Sequence, residues 1–185
     1  MLNFKQYTEM TECWIGNNIV LSTNNFSNAF SGMSQNLTIV SFNHPELVNI
    51  KNTYRNCHSL TGSPDCGNNV TDMSYTYYGC SNLTGSPVCG NNVVYMYRTY
   101  YNCYNLTGSP DWGNNVTDMR ETYRNCYNLT GNPVCGNNVT DMGSTYRDCN
   151  NLTGKPVCRN KTINISFTYA NCRNLTGNQI GRAHV

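Results

Sequence analysis

Cysteines are the residues of this sequence best suited to chemistry, since the chain has eleven Cys but only three His. One series recurs every 23 residues and consists of Cys57, Cys80, Cys103, Cys126, Cys149 and Cys172. A second series consists of Cys66, Cys89, Cys135 and Cys158, with Trp112 in the third of its five places.

A regular cysteine pattern can indicate a disulfide framework. Here Trp112 and the odd total leave cysteines without partners whichever way the two series are paired. The wide spacings also lack the short Cys-x-x-Cys clips of zinc sites. Reduced cysteines packed as small core residues are therefore the preferred interpretation, and some disulfides or a metal site are the alternatives.

No other motif predicts catalysis. The sequence contains no phosphate-binding loop, dinucleotide-binding fingerprint, His-Glu-x-x-His element or nucleophile elbow. A partial acidic column of Asp72, Asp118 and Asp141 fits helix capping better than a row of calcium ligands. We therefore expect no enzyme, no catalytic residue, no cofactor and no metal site.

Arginine and tyrosine dominate two positions that vary between repeats, and both positions are expected to face outward. The first holds Arg55, Tyr78, Tyr101, Arg124, Arg147 and Ala170, and the second holds His58, Ser81, Tyr104, Tyr127, Asn150 and Arg173. Arg and Tyr are enriched at interface hot spots, and a tyrosine ring also suits stacking on a sugar. The candidate ligand contacts are thus Arg55, His58, Tyr78, Tyr101, Tyr104, Arg124, Tyr127 and Arg147. The alternative is a solvated ladder held by cation–π contacts. A further variable position has Tyr75, Arg98, Glu121 and Phe167.

These side chains must be positioned by a 23-residue repeat that runs through six units without insertion. A unit reads approximately V-T-D-M-x-x-T-Y-x-N-C-x-N-L-T-G-x-P-x-C-G-N-N. Its fixed apolar positions predict a structural ladder, for which two units supply Met73, Tyr77, Cys80, Leu83, Met96, Tyr100, Cys103 and Leu106. One divergent unit is assigned to 26–46, the regular units start at 47, and the repeat region ends at 179. Residues 1–25 are expected to form an N-terminal capping segment.

The spacing within one unit predicts a short helix or helical turn at 72–80, because Met73, Tyr77, Cys80 and Leu83 then share one face. The stretch from Leu83 to Cys89 contains Pro87 and is expected to be a short strand. Such a unit cannot bury its apolar face alone, so we expect the units to stack. The predicted fold is α/β, a leucine-rich-repeat-like solenoid whose strands form a parallel sheet.

The composition agrees with such a repeat. Charged residues make up only 12% of the chain and the formal net charge is +2, which argues against a nucleic-acid partner. No apolar run is long enough to span a membrane. Stacked Asn and Thr side chains are expected to hydrogen-bond the turn backbones.

The stretch V-T-D-M-S-Y-T-Y-Y-G-C-S-N-L-T at 70–84 resembles the BspA-type leucine-rich repeats of bacterial surface proteins. The resemblance covers about 26–179 and includes repeats of bacteriophage tail-associated proteins. Tyr replaces the family's usual Phe, and L-T-G-S-P replaces its aliphatic strand pattern. The resemblance implies a solenoid with a role in adhesion or receptor binding.

The two ends carry separate expectations. Met1 is not followed by the apolar region of a signal peptide, so the compartment is unknown, and a cell surface or virion is suspected from the resemblance alone. Residues 180–185 break the repeat and read as the translation of a common sequencing-adapter sequence. We therefore hypothesise that they are an artefact and that the natural chain continues.

The sequence favours a non-catalytic binding or adhesion module of a bacterial cell-surface or phage tail-associated protein. It would recognise a protein or carbohydrate on a cell surface along one face of the solenoid. The alternative is a purely structural spacer, and ice binding through the Thr column at Thr84 and Thr107 is a more distant third.

Overall fold

The structure is a computed structural model that describes residues 4, 7, 9–15, 24–33, 37–42, 46–62, 66–134, 136–156 and 162–176. It has two strands, β1 (Glu12–Ile15) and β2 (Ile39–Phe42), which pair in parallel with Glu12 opposite Ile39. These described residues contain no helix. The predictions for 180–185 and for Cys135 and Cys158 lie outside them.

Successive repeats lie directly against one another through backbone hydrogen bonds. In one unit the N–H groups of Met96, Arg98, Tyr100 and Asn102 donate to carbonyls 22 residues later, at 2.9 to 3.0 Å. Single parallel bridges join equivalent positions of neighbouring units, 23 residues apart, as in Asp72 to Tyr95 and Tyr95 to Asp118. Each unit thus forms one coil of a stack and hydrogen-bonds alternate amides to the next coil.

The intervening amides close a chain of tight turns within each coil. Thr99 N–H donates to Met96 O at 3.1 Å, and Cys103 N–H donates to Tyr100 O at 3.0 Å. Arg98 and Asn102, the third residues of successive turns, have positive φ of 54° and 62°, as a type II turn requires. Equivalent positions in the other coils are also left-handed, including Tyr75 and Gly79.

The structure therefore differs from the predicted helix at 72–80. Left-handed residues at Tyr75 and Gly79 interrupt a right-handed helix. A helix would also direct its amides along its own axis, whereas here every second amide is needed by the neighbouring coil. Spacings of four, three and three residues place side chains on one side of either arrangement, so the pattern alone does not distinguish them.

The segment from Leu83 to Cys89 also differs from the expected strand. Its hydrogen bond to the preceding coil runs from Thr84 N–H to Gly62 O at 3.1 Å, but no strand forms there among the described residues. Pro87, which is buried, has no N–H to donate. Most parallel bridges lie instead in the column of Asn49, Asp72, Tyr95, Asp118, Asp141 and Asn164, and a single bridge from Gly154 to Leu175 falls at the positions equivalent to Gly85 and Leu83.

The core is a set of columns running through the coils. All eight residues of the predicted structural ladder are buried, and none exposes more than the 3% of Tyr77. The tyrosine rings stack with centroids 5.4 Å apart from Tyr77 to Tyr100 and from Tyr100 to Tyr123. The leucine-rich-repeat class remains a prediction, since stacking of this kind is compatible with more than one repeat fold.

The first described residues continue the stack at its N-terminal end. The Phe4 ring lies on Phe30 at 4.7 Å with an interplanar angle of 8°, and Phe30 lies on Tyr54 at 5.6 Å. Phe4 N–H donates to Ala29 O at 2.9 Å. The described part of 1–25 therefore covers the first face of the divergent unit.

Candidate binding face

The outward side chains are held in place by a satisfied polar column just beneath them. The Thr of each Thr-Tyr pair is fully buried, and its hydroxyl lies within hydrogen-bonding distance of two carbonyls. For Thr122 these are Met119 O at 2.8 Å and Met96 O at 2.7 Å. This contact joins neighbouring coils on the inner side, which fixes the register of the side chains that point outward.

The first variable position forms a continuous outer stack across four coils. The Arg55 guanidinium lies 5.0 Å from the centre of the Tyr78 ring, and Tyr78 stacks on Tyr101 at 5.0 Å and 9°. Arg124 lies 5.5 Å from the other end of this pair, over Tyr101. The structure thus brings four of the eight candidate contacts together, and all four are half-buried.

Arg147 does not join that stack. Its guanidinium lies 5.8 Å from the ring centre of Phe167, and its Nε is 3.5 Å from Asp148 Oδ2.

The second variable position contains an exposed tyrosine pair. Tyr104 and Tyr127 stack at 5.3 Å and 5° and remain 38% and 42% exposed. His58, in the same column, is exposed.

Sequence reasoning missed two residues that extend this face, Tyr97 and Arg120. Arg120 lies 4.9 Å and Arg98 5.1 Å from the ring centre of Tyr97, and Tyr75 meets that ring edge-on at 5.1 Å. The signal that could have found them is the variable position after Met96 and Met119, which holds Tyr97 and Arg120 in successive units. We call the combined surface of Arg55, Tyr75, Tyr78, Tyr97, Arg98, Tyr101, Arg120 and Arg124 the arginine–tyrosine face.

Glu121 neutralises part of the positive charge of this face. Its carboxylate accepts from Arg98 Nη2 at 2.8 Å and from Arg124 Nη1 at 2.9 Å. Arg120 is paired with Asp118 at 2.6 Å. Because these arginines are oriented by carboxylates, the face presents guanidinium edges and ring faces in fixed positions.

The acidic column has a local structural role. The Oδ1 atoms of Asp72, Asp118 and Asp141 accept the N–H of the residue two positions later, at 2.8 to 3.0 Å. This is an Asx-type turn. The aspartates therefore cap the first of the tight turns that replace the predicted helix. Among the described residues no cluster of His, Cys, Asp and Glu could hold a metal ion.

The first cysteine series lies in the core, where Cys80, Cys103, Cys126 and Cys149 carry free thiols. Each of these thiols donates to a tyrosine carbonyl of the preceding coil, as in Cys126 Sγ to Tyr100 O at 3.1 Å. Burial raises the pKa of the Cys103 and Cys126 thiols well above the usual range, and neighbouring thiols of the column add to the effect. Protonated, buried thiols of this kind are poor nucleophiles.

The exposed threonine column that motivated the ice-binding alternative is regular in its backbone. Thr107 and Thr130 N–H groups donate to Gly85 O and Gly108 O at 3.1 and 3.0 Å. Two positions further on, however, the exposed residues are Ser86, Ser109, Asn132 and Lys155. The second column therefore presents hydroxyls only at Ser86 and Ser109 among these four residues, and the array is one column wide beyond them.

No protein-family model, curated protein or solved structure matches this chain significantly. The resemblance to BspA-type repeats accordingly rests on the residues of the repeat. No helix in the described part of the chain has the length and apolarity to cross a membrane.

Proposed function

We propose that this protein is a non-catalytic binding module that recognises a protein or glycan through the arginine–tyrosine face and the Tyr104–Tyr127 pair. Following the repeat's resemblance, we place it in a bacterial cell-surface or phage tail-associated protein, with the coils forming a BspA-like solenoid. The observation that carries the proposal is the unbroken outer stack Arg55–Tyr78–Tyr101–Arg124 beside an exposed ring pair.

Rigidity supports this role. Tyr and Arg contribute large contact areas at interfaces, and side chains that are already ordered lose less entropy when a partner binds. Here the rings are ordered by stacking on one another and the guanidiniums by Glu121 and Asp118. Repetition along the stack would let one long partner make several equivalent contacts, which increases avidity.

A structural spacer is the second candidate, and the same internal pairs favour it. Each cation–π contact contributes about 0.5–1 kcal/mol at an exposed site, so the face would stabilise the stack even without a ligand. The two functions differ in whether the outer rings are needed for attachment.

The test replaces Tyr78, Tyr101, Tyr104 and Tyr127 by Ser in the full chain. Binding to bacterial cells and to a glycan array would be measured beside the urea midpoint of unfolding. The binding function predicts that attachment is lost while the variant stays folded; attachment at the unchanged level supports the spacer. Tyr95→Ser is the matched control, since Tyr95 is 50% exposed but belongs to neither column.

A further inference from the structure

One coil departs from the repeat at the wall opposite the arginine–tyrosine face. The Tyr100 hydroxyl donates to Val88 O at 3.2 Å, so the core rings span the interior from the wall of Met96–Cys103 to the wall that carries Val88. In this second wall the usual Val-Cys pair, as in Val88-Cys89, becomes Asp111-Trp112. Trp112 is the sole departure from cysteine in its column.

Trp112 lies between two coils. Its ring centroid is 6.3 Å from that of Tyr123 and 6.2 Å from that of Tyr146, tilted by 45° and 47°. The indole is partly exposed. A Cβ added to Gly136 would lie 2.9 Å from the indole Nε1, so a larger residue there would press on the indole.

A groove of about 280 Å³ opens beside this indole. It is lined by Pro110, Asp111, Trp112, Asn114, Val134, Gly136 and Asn137. The volume is near the lower limit of small-molecule sites, roughly 300 Å³, which suits a single ring. Asp111, Asn114 and Asn137 are exposed, so their carboxylate and amide groups are accessible to a ligand.

The core beneath the groove also differs from that of the preceding coil. The Tyr123 hydroxyl, which corresponds to that of Tyr100, is buried and has no hydrogen-bond partner within the described part of the chain. The bond that Tyr100 makes to the wall is thus not repeated where tryptophan replaces cysteine. An unpaired buried hydroxyl is unfavourable, so Tyr123 carries a stability cost that Tyr100 avoids.

We propose that the Trp112 groove binds one neutral hexopyranose unit of a glycan. The apolar C–H face of a pyranose packs on an indole, and its hydroxyls pair with a carboxylate and with amides, which both donate and accept. The lining contains one carboxylate and no cation, which disfavours acidic sugars and phosphates. The site lies on the other wall from the arginine–tyrosine face, so it does not depend on the function proposed for that face.

The experiment titrates the full chain with methyl glycosides of glucose, galactose and mannose and follows the Trp112 indole N–H by NMR. We expect a saturable shift of that signal with at least one hexoside, with Kd on the order of 1 mM. Asp111→Asn should weaken binding about tenfold, which corresponds to about 1.4 kcal/mol. The double variant Asp111→Val/Trp112→Cys restores the usual repeat sequence and lacks the reporter indole, so its titration follows the backbone amides of Asn114, Gly136 and Asn137 in the groove lining. It should fold at least as well and bind no hexoside, so these amide signals should not shift.

Two outcomes would overturn the proposal. One is an indole signal that does not move with any neutral hexoside, whether or not it moves with choline or a nucleoside. The other is hexoside binding that survives in the double variant. The variant with Tyr78, Tyr101, Tyr104 and Tyr127 replaced by Ser should retain hexoside binding at the Trp112 groove. Failure of one proposed site is therefore distinguishable from failure of the other.

Discussion

The segment from Met96 to Cys103 has an inner and an outer side that follow different rules. Tyr100 and Tyr101 are neighbours in sequence, and each stacks on a tyrosine of the preceding coil, at 5.4 and 5.0 Å. Tyr100 is fully buried, and a tyrosine recurs at its position in all six units. Tyr101 is half-exposed, and its position holds Arg, Tyr or Ala in other units. Similar ring contacts therefore occur on both sides, but the residue type is constant on the buried side and varies between units on the exposed side.

The largest expected effect comes from removing the inner ring. Tyr100→Ala should lower the free energy of unfolding by about 3–5 kcal/mol, because it leaves a cavity in the core column. Tyr101→Ala should cost about 1 kcal/mol, the worth of an exposed aromatic pair. Urea unfolding followed by circular dichroism measures both. Equal losses of unfolding free energy in the two variants would contradict the difference between the inner and outer sides.

The next largest effect is expected at alkaline pH, where the buried thiols of the inner side should lower the free energy of unfolding. Burial raises the pKa of Cys80, Cys103, Cys126 and Cys149 in the folded chain, and that of Cys172 rises to about 12. The unfolded chain then loses thiol protons at lower pH than the folded chain. The free energy of unfolding therefore keeps its full value below pH 9 and falls as pH rises above 9. The loss should be about 1 kcal/mol per buried thiol between pH 9 and pH 10.

The measurement is the free energy of unfolding at a series of pH values under reducing conditions. Cys126→Ala is the informative variant, since it should make the alkaline loss smaller by the share of one thiol. A stability that stays constant up to pH 11 would contradict the burial of the column.

The threonines give a smaller contrast between inner and outer positions. Thr122→Val should cost about 0.5–1.5 kcal/mol, because the buried hydroxyl proton that lies between Met119 O and Met96 O is lost. Thr107→Val, at the exposed column, should change stability by about 0.5 kcal/mol or less. Thermal unfolding of the two variants compares them. Near-equal effects would mean that the inner hydroxyl does not join the coils.

The smallest expected difference lies within the inner side itself. Tyr100→Phe removes the hydrogen bond to Val88 O and should cost about 0.5–1.5 kcal/mol. Tyr123→Phe removes a buried hydroxyl without a partner in the described part of the chain, so it should be neutral or stabilising. A cost at Tyr123 equal to that at Tyr100 would show that both hydroxyls are hydrogen-bonded in the folded chain.

The buried ladder could be predicted from the sequence because stacked units place identical residues in identical surroundings, as at Tyr77 and Tyr100. The chain of tight turns could not be predicted, since the spacing of Met73, Tyr77 and Cys80 fits a helix equally well. No local sequence feature indicates that Tyr75 and Gly79 have positive φ. The columns of the candidate face followed from comparing units. Its cross-column contacts, as between Tyr75 and Tyr97, depend on the 22-residue offset between coils and needed the structure.

Each coil donates its alternate amides to the next coil, and amide hydrogen exchange tests this arrangement directly. Met96, Arg98, Tyr100 and Asn102 donate to the following coil, so their amides should be strongly protected. The protection should recur at the residues 23 positions later. The Tyr104 amide, which has no backbone acceptor in the described part of the chain, should exchange fast and serves as the internal reference. Exchange of the four amides at the rate of Tyr104, or protection without a 23-residue period, would contradict this hydrogen bonding between coils.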